Sequence, residues 1–487
     1  MSIALLLLLF YSAGLVGLGL WIGRRVESSS TFFVAGRSLG PGLLFATLLA
    51  ANIGAGSTVG AAGLGYRDGL AAWWWVGSAG IGTIVLAVWV GPAVWRIARE
   101  RELYTVGDYL ELRYGRSVRA IIAALLWLAT LAILAGQLIA AAWVLNVVAG
   151  LPKWLGCLAA GGVVTVYFAS GGLLTSAWVN LVQLSVLLGG FAVVLPVALQ
   201  GAGGWEAVVA AAPVDNPDWF AFSRSGDSGW TWIFLLAPAF IISPGLLQKI
   251  FGARDEATVR RAGIACALVL LAFAVVPPLL GMIARSIAPE LANPELALPT
   301  VLMEGLPLLL GALALAAVFS AEISSADAIL FMLATSLSED LWRRFVRPDA
   351  TDREVLRMAR LAALAGGGLG IGLALALPSV IGALAVFYTL LSVSLFVPLI
   401  AGLCSRRPGS TAALAAITAG VLTVIGARIA GIPASGLASP YVAGLAASAV
   451  AYAIAAAAES ALRRSRTRSS PPPGDPPPPV PPRSVPR

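Results

Sequence analysis

Apolar residues collect in runs of about twenty, and most of the charge falls in the short segments between them. Runs long enough to cross a bilayer lie at 3–23, 41–66, 71–95, 119–149, 154–170, 178–200, 229–251, 262–285, 307–336, 357–377, 379–404, 410–430 and 439–461. The pattern predicts an all-α polytopic membrane protein of about thirteen transmembrane helices, numbered below as spans 1 to 13. The first run lacks a basic start and a small-residue cleavage signature, so it reads as a span rather than a leader.

Two spans carry their own interruption. The middle of span 2 reads Asn52-Ile53-Gly54-Ala55-Gly56-Ser57-Thr58, with helix-weakening glycines and small hydroxyl residues at hydrocarbon depth. Unpaired backbone there is tolerated only against protein or a water-lined cavity. A second reading of the same residues is close helix packing through Gly56 and Gly60. Span 7 contains Ile242-Ser243-Pro244-Gly245-Leu246, where proline removes a helix hydrogen bond and glycine weakens the next turn. If spans 2–6 and 7–11 form two units of five, the second starts from the opposite side, giving an inverted repeat. Its two broken spans then fall at corresponding positions, the arrangement of a mid-membrane binding site. Such a site would be lined by Asn52, Gly54, Ala55, Gly56 and Ser57 on one side and by Ser243, Gly245 and Leu246 on the other.

Span 9 carries the second informative run, 316–331, AAVFSAEISSADAILF. At 100° per residue, Ala317, Ser320, Ser324 and Asp327 fall within about 80° of one another, a polar stripe that must face protein. Carbonyls of a broken helix together with serine hydroxyls can replace the water of a monovalent cation. The alternative is that Ser320 and Ser324 bond back to their own helix. Glu322 and Asp327 are acids deep in an apolar run, so each needs a partner or a role. A structural hydrogen bond, an ion exit path, a cytoplasmic arginine partner and proton transfer are the readings open to them.

Charge placement gives the topology. Of the 32 Lys and Arg residues, Arg67, Lys153, Arg224, Arg285 and Arg428 lie on one side and the other 27 on the opposite side. The positive-inside rule makes the richer side cytoplasmic and puts the N-terminus outside. This accounts for the net charge of +8 without nucleic acid. Trp73, Trp74, Trp75, Trp230 and Trp232 are expected at the outer interface as an aromatic belt. A composition 59% hydrophobic and 11% charged excludes a soluble domain with a single core. Cys157, Cys266 and Cys404 show no paired or metal-type spacing. The absence of histidine excludes histidine-based catalysis and relays, and no Walker loop or nucleotide domain points to ATP-driven work. The glycine cluster 366–372 sits within span 10 and reads as helix packing. The reading is a transporter, not an enzyme, with residues 1–462 as one transmembrane domain, 41–404 as its repeat core, and 463–487 as a disordered Pro/Arg-rich cytoplasmic tail.

Five segments together resemble the sodium:solute symporter family over residues 5–462. They are 33–40, FVAGRSLG; 50–53, AANI; 104–110, YTVGDYL; 171–173, GGL; and 316–320, AAVFS. The resemblance implies the LeuT-type five-plus-five fold and a sodium ion between spans 2 and 9. It assigns that ion to the carbonyls of Ala50, Ile53 and Ala317 and the hydroxyl of Ser320. Where relatives place a second hydroxyl this chain has Ala321, with Ser324 one turn on as a substitute ligand. Where many relatives carry an acid it has Asn180, which favours one coupling ion. The implied function is sodium-coupled uptake of a small organic solute across a cell membrane, with no obligate protein partner. Small residues at Gly54, Ala55 and Gly56 would leave backbone N–H groups free for a carboxylate or amino acid. Proton coupling through Glu322 or Asp327, and a transporter-like sensor, are the competing readings.

Overall fold

The computed structural model describes residues 34–469, apart from 169–172, 225–228, 406–408 and 434–435, together with parts of 5–21. Span 1 and the residues from 470 onward therefore lie largely or wholly outside the described residues. Helices fill the ranges of spans 2 to 13. Ten helices among the described residues are long and apolar enough to cross a membrane. The shorter count has local causes. Pro41–Asn52 is half a span, the helix from Gly56 runs without a stop through span 3 to Glu100, and span 5 is the 16-residue Lys153–Phe168. The last helix, Pro440–Ser469, continues past the expected boundary at 462, because the first proline of the tail comes only at Pro471.

Both expected interruptions are present. In span 2, helix Pro41–Asn52 stops, residues 53–55 intervene, and the chain resumes as a π-wound turn, Gly56–Gly60, before helix Ala61–Asp68. In span 7, helix Ile233–Ile241 ends two residues before Pro244–Phe251 begins. Two of these half-helices, Pro41–Asn52 and Pro244–Phe251, are tied together at the ends away from the breaks. Leu39 and Ala253 form an isolated parallel bridge, with Leu39 N donating to Gly252 O at 3.0 Å and Arg254 N to Leu39 O at 3.1 Å. Arg37 adds a hydrogen bond to Phe251 O. The two broken spans are thus mechanically one piece at this end.

Span 9 is the most enclosed helix, with 78% of its apolar window buried, which is why it can carry hydroxyls and acids. Its far end is pinned. The Arg119 guanidinium at the foot of span 4 lies 2.8 Å from Asp108, 2.9 Å from Glu111 and 2.8 Å from Asp340. This joins the short helix Val106–Tyr114, span 4 and the end of span 9. Arg344 also pairs with Glu111.

The glycine cluster of span 10 serves packing, as its position predicts. A Cβ on Gly367 or Gly370 would run into Thr165 or Leu134. The aromatic belt holds only in part. Trp73 and Trp74 are half-buried against Phe222, whereas Trp75 and Trp232 turn inward, 3% and 8% exposed, and meet edge to face at 4.8 Å. Trp75 is needed as cavity wall rather than at the lipid boundary.

Candidate functional site

A broken helix must account for its orphaned backbone groups, and span 2 does so with side chains. In a continuous helix the Ala50 carbonyl would accept from Gly54 N and the Ile53 carbonyl from Ser57 N. Here Gly54 N donates to Ser57 Oγ at 2.9 Å, and Ser57 N donates to Gly54 O at 2.9 Å. Ala55 N donates across to Gln137 Oε1 of span 4 at 2.8 Å. The expectation that these small residues present free N–H groups to a solute fails for Gly54 and Ala55, whose donors are already engaged.

The carbonyls of Ala50 and Ile53 turn to span 9 instead. Ser325 Oγ donates to both, at 3.1 and 2.9 Å. A Cβ on Gly54 would overlap Ser325 Oγ and come within 2.7 Å of Gln137 Oε1, so glycine is required for the approach of spans 4 and 9. The packing reading of Gly56 and Gly60 holds as well, since a Cβ on either would strike Leu384 or Ile381 of span 11.

This register differs from the expected one. The stripe of Ser320 and Ser324 faces protein; the Ser324 hydroxyl meets span 6, and Ser320 meets it through its backbone carbonyl. Ser324 Oγ donates to Asn180 Oδ1 at 2.6 Å, Asn180 Nδ2 donates to Thr47 Oγ1 at 3.3 Å, and Gln183 Nε2 donates to the Ser320 carbonyl at 3.3 Å. One residue past Ser324 is a turn of 100°, enough to swing Ser325 onto span 2. Ser320 lies about 7.5 Å along the axis and about 140° round from Ser325, and Ala317 about 12 Å away. The structure therefore brings Ala50 and Ile53 to Ser325, and does not bring Ser320 or Ala317 to them. The sequence signal for Ser325 was its place beside Ser324, two adjacent hydroxyls on a buried helix.

The acids take separate roles. Glu322 is fully buried and hydrogen-bonded to Thr58 Oγ1 at 2.6 Å, a cross-link between spans 9 and 2 just past the break. Asp327 is 5% exposed, and its charge acts on Lys249 of span 7.

Between the breaks lies a cavity. Of the eight residues expected there, Asn52, Gly54, Gly56, Ser57, Ser243, Gly245 and Leu246 line it, and Ala55 does not. Trp75, Gln137, Phe240, Phe387, Tyr388 and Lys249 complete its notable walls. Ser243 caps the second half-helix through Leu246 N at 3.4 Å.

An all-helical membrane protein whose two broken spans face one polar-lined cavity is a secondary transporter of the inverted-repeat kind. The chain belongs to the sodium:solute symporter family, whose profile matches residues 32–420. The sodium/glucose cotransporter of Vibrio parahaemolyticus is 26% identical over 73% of this chain and 71% of its own. The sodium/pantothenate symporter of Escherichia coli (strain K12) is 29% identical over 86% of this chain and 89% of its own. A solved Na+-coupled sialic acid symporter in a substrate-bound outward-open state superposes with a TM-score of 0.79 at 18% identity, covering 94% and 98% of the two chains, which establishes the fold. The protein is thus a multi-pass membrane transporter, not an enzyme, and its activity is of the sodium-coupled symport class.

Proposed function

We propose that the protein takes up a small organic solute, a carboxylate or an amino acid, together with one sodium ion by alternating access. The observation that carries the ion's position is the Ser325 hydroxyl bridging the Ala50 and Ile53 carbonyls. Two carbonyls released from a helix ladder, at the negative end of a half-helix, present oxygens to a cation without a full charge. Ser324 stands beside them, and the Ala321 carbonyl, one turn before Ser325 on the same helix, supplies a further oxygen. This set replaces Ala317 and Ser320 and makes the hydroxyl absent at Ala321 unnecessary. Asn180 holds Ser324 with a neutral amide, which supports a single ion. The solute sits in the adjoining cavity, so ion and solute share the break of span 2, and filling one site orders the backbone that forms the other.

The 27 to 5 partition of basic residues supports a plasma or inner membrane location with the N-terminus outside and the C-terminal segment in the cytoplasm. Residues 1–462 act as one transporting unit and 463–487 form a cytoplasmic extension. Purified protein in liposomes tests the coupling. An imposed inward sodium gradient should drive solute accumulation, and a proton gradient in sodium-free buffer should not; accumulation driven by protons alone overturns the reading.

A further inference from the structure

We infer that Lys249 is the receptor for a carboxylate group of the solute, and that the solute is a small carboxylate bearing a hydroxyl or amide N–H donor. The inference rests on the cavity between the two breaks being the solute site. Among the residues that line that cavity, Lys249 is the one that carries a formal charge. It belongs to the second half-helix of span 7, Pro244–Phe251, and is 1% exposed. An ammonium so deep in a membrane protein is costly unless compensated. Asp327, on span 9 beyond the lining, supplies compensation, and the Phe331 ring centroid lies 6.0 Å from Nζ. Asp327 acts on the ammonium through its charge, and a lysine ammonium has three donors to offer a ligand. Asp327 is then a positioning residue: its negative charge favours the ammonium form of Lys249, which a solute carboxylate can meet.

A second observation specifies the rest of the solute. Asn52 also lines the cavity and is 8% exposed. Its amide nitrogen is used, donating to Leu48 O at 2.7 Å and reaching Cys266 Sγ at 3.6 Å. Its Oδ1 is buried without a hydrogen-bond partner. A buried acceptor left open calls for a donor, so a solute that satisfies it brings an O–H or N–H. The remaining walls, Trp75, Phe240 and Phe387, are apolar and suit a short carbon skeleton. The carboxylate preference thus comes from a fixed side chain rather than from the backbone N–H groups of the first break.

The test uses the full-length purified protein in sodium buffer and three matched pairs of probes: lactate with lactamide, pantothenate with panthenol, and N-acetylglycine with its amide. Propionate, choline and glucose complete the set. At least one acid should raise the thermal unfolding midpoint in a concentration-dependent way, and its neutral partner should bind at least tenfold more weakly. Lys249→Met should weaken that acid at least tenfold while sodium alone still stabilises the variant, and Lys249→Arg should recover most of the affinity. Asn52→Leu should weaken lactate while leaving propionate, the same skeleton without the hydroxyl donor, nearly unchanged. Equal binding of acid and neutral partners, binding of none of the acids, or full affinity in a folded Lys249→Met variant overturns the inference. Failure of sodium alone to stabilise the wild type would instead count against the coupling, so the two outcomes remain distinct.

Discussion

The two interruptions occupy corresponding positions in the two halves, yet they solve the same backbone problem differently. Span 2 breaks over three residues and recruits help from a distance: Gln137 from span 4 takes one N–H, and Ser325 from span 9 takes two carbonyls. Span 7 breaks over two residues and closes itself with a proline at the first helical position and Ser243 as a local cap. The first break is therefore wired to spans 4 and 9, and anything that changes its carbonyl ligands is felt there. The second is self-contained and carries a fixed cation, Lys249, on its half-helix. The contrast is that the Ala50 and Ile53 carbonyls of the first break are taken by a side chain of another span, whereas the second half-helix of span 7 is capped by its own Ser243.

The largest expected contrast comes from side chains added at the two breaks. Gly54→Val would overlap Ser325 and crowd Gln137, and should abolish sodium-dependent uptake in proteoliposomes, a loss of at least about a hundredfold. Gly245→Ala meets only the Met332 sulfur at 3.2 Å, the flexible end of a side chain, and should cost no more than about threefold. Comparable losses in both would erase the distinction.

Smaller effects are expected from removing the groups that seal each break. Gln137→Ala leaves the Ala55 N–H buried without its partner, at a cost of about 1–3 kcal/mol, or about five- to more than a hundredfold in solute affinity. Ser243→Ala removes a helix cap whose loss typically costs about 1 kcal/mol, and should appear as a lower unfolding midpoint with little change in sodium dependence. Ligand titrations and thermal unfolding of both variants separate the two.

The smallest effect lies away from both breaks. Burial pushes the Glu111 carboxyl up, but its hydrogen bonds and ion pairs with Arg344 and Arg119 outweigh this and hold it below the usual glutamate value of 4.5. Its stabilising contribution is full above that unfolded value and is lost as pH falls through the lower folded one. Glu111→Gln should lower the unfolding midpoint modestly near neutral pH, with the gap to wild type narrowing below about pH 4.5. The sodium dependence of uptake should be untouched.

The breaks were legible because they depend on residue types that weaken any helix: two glycines in span 2, and proline followed by glycine in span 7. That seven of eight expected lining residues meet one cavity follows from the same cause. The register of span 9 was not legible to the same degree. Ser320, Ser324 and Ser325 differ only by rotation about one helix, and which of them reaches span 2 is decided by packing against spans 4 and 6. The AAVFS segment points to Ser320, more than one turn before the serine that meets the span 2 carbonyls. Lys249 was hidden for another reason. It stands near the end of an apolar run, where basic residues ordinarily mark the cytoplasmic flank, and what sets it apart is its place in the wall of the cavity at 1% exposure.

Sodium titration of Ser325→Ala beside Ser320→Ala, at fixed pH and solute concentration, bears most directly on where the ion sits. Trp75, a wall of the cavity near Gly56, offers a fluorescence readout alongside uptake. Ser325→Ala should raise the half-saturating sodium concentration about five- to more than a hundredfold, the range expected for losing one of few oxygen ligands at about 1–3 kcal/mol. Ser320→Ala, which removes a hydroxyl about 140° round the helix from Ser325, should stay within about twofold of wild type. A large shift in Ser320→Ala with an unchanged Ser325→Ala would contradict the assignment.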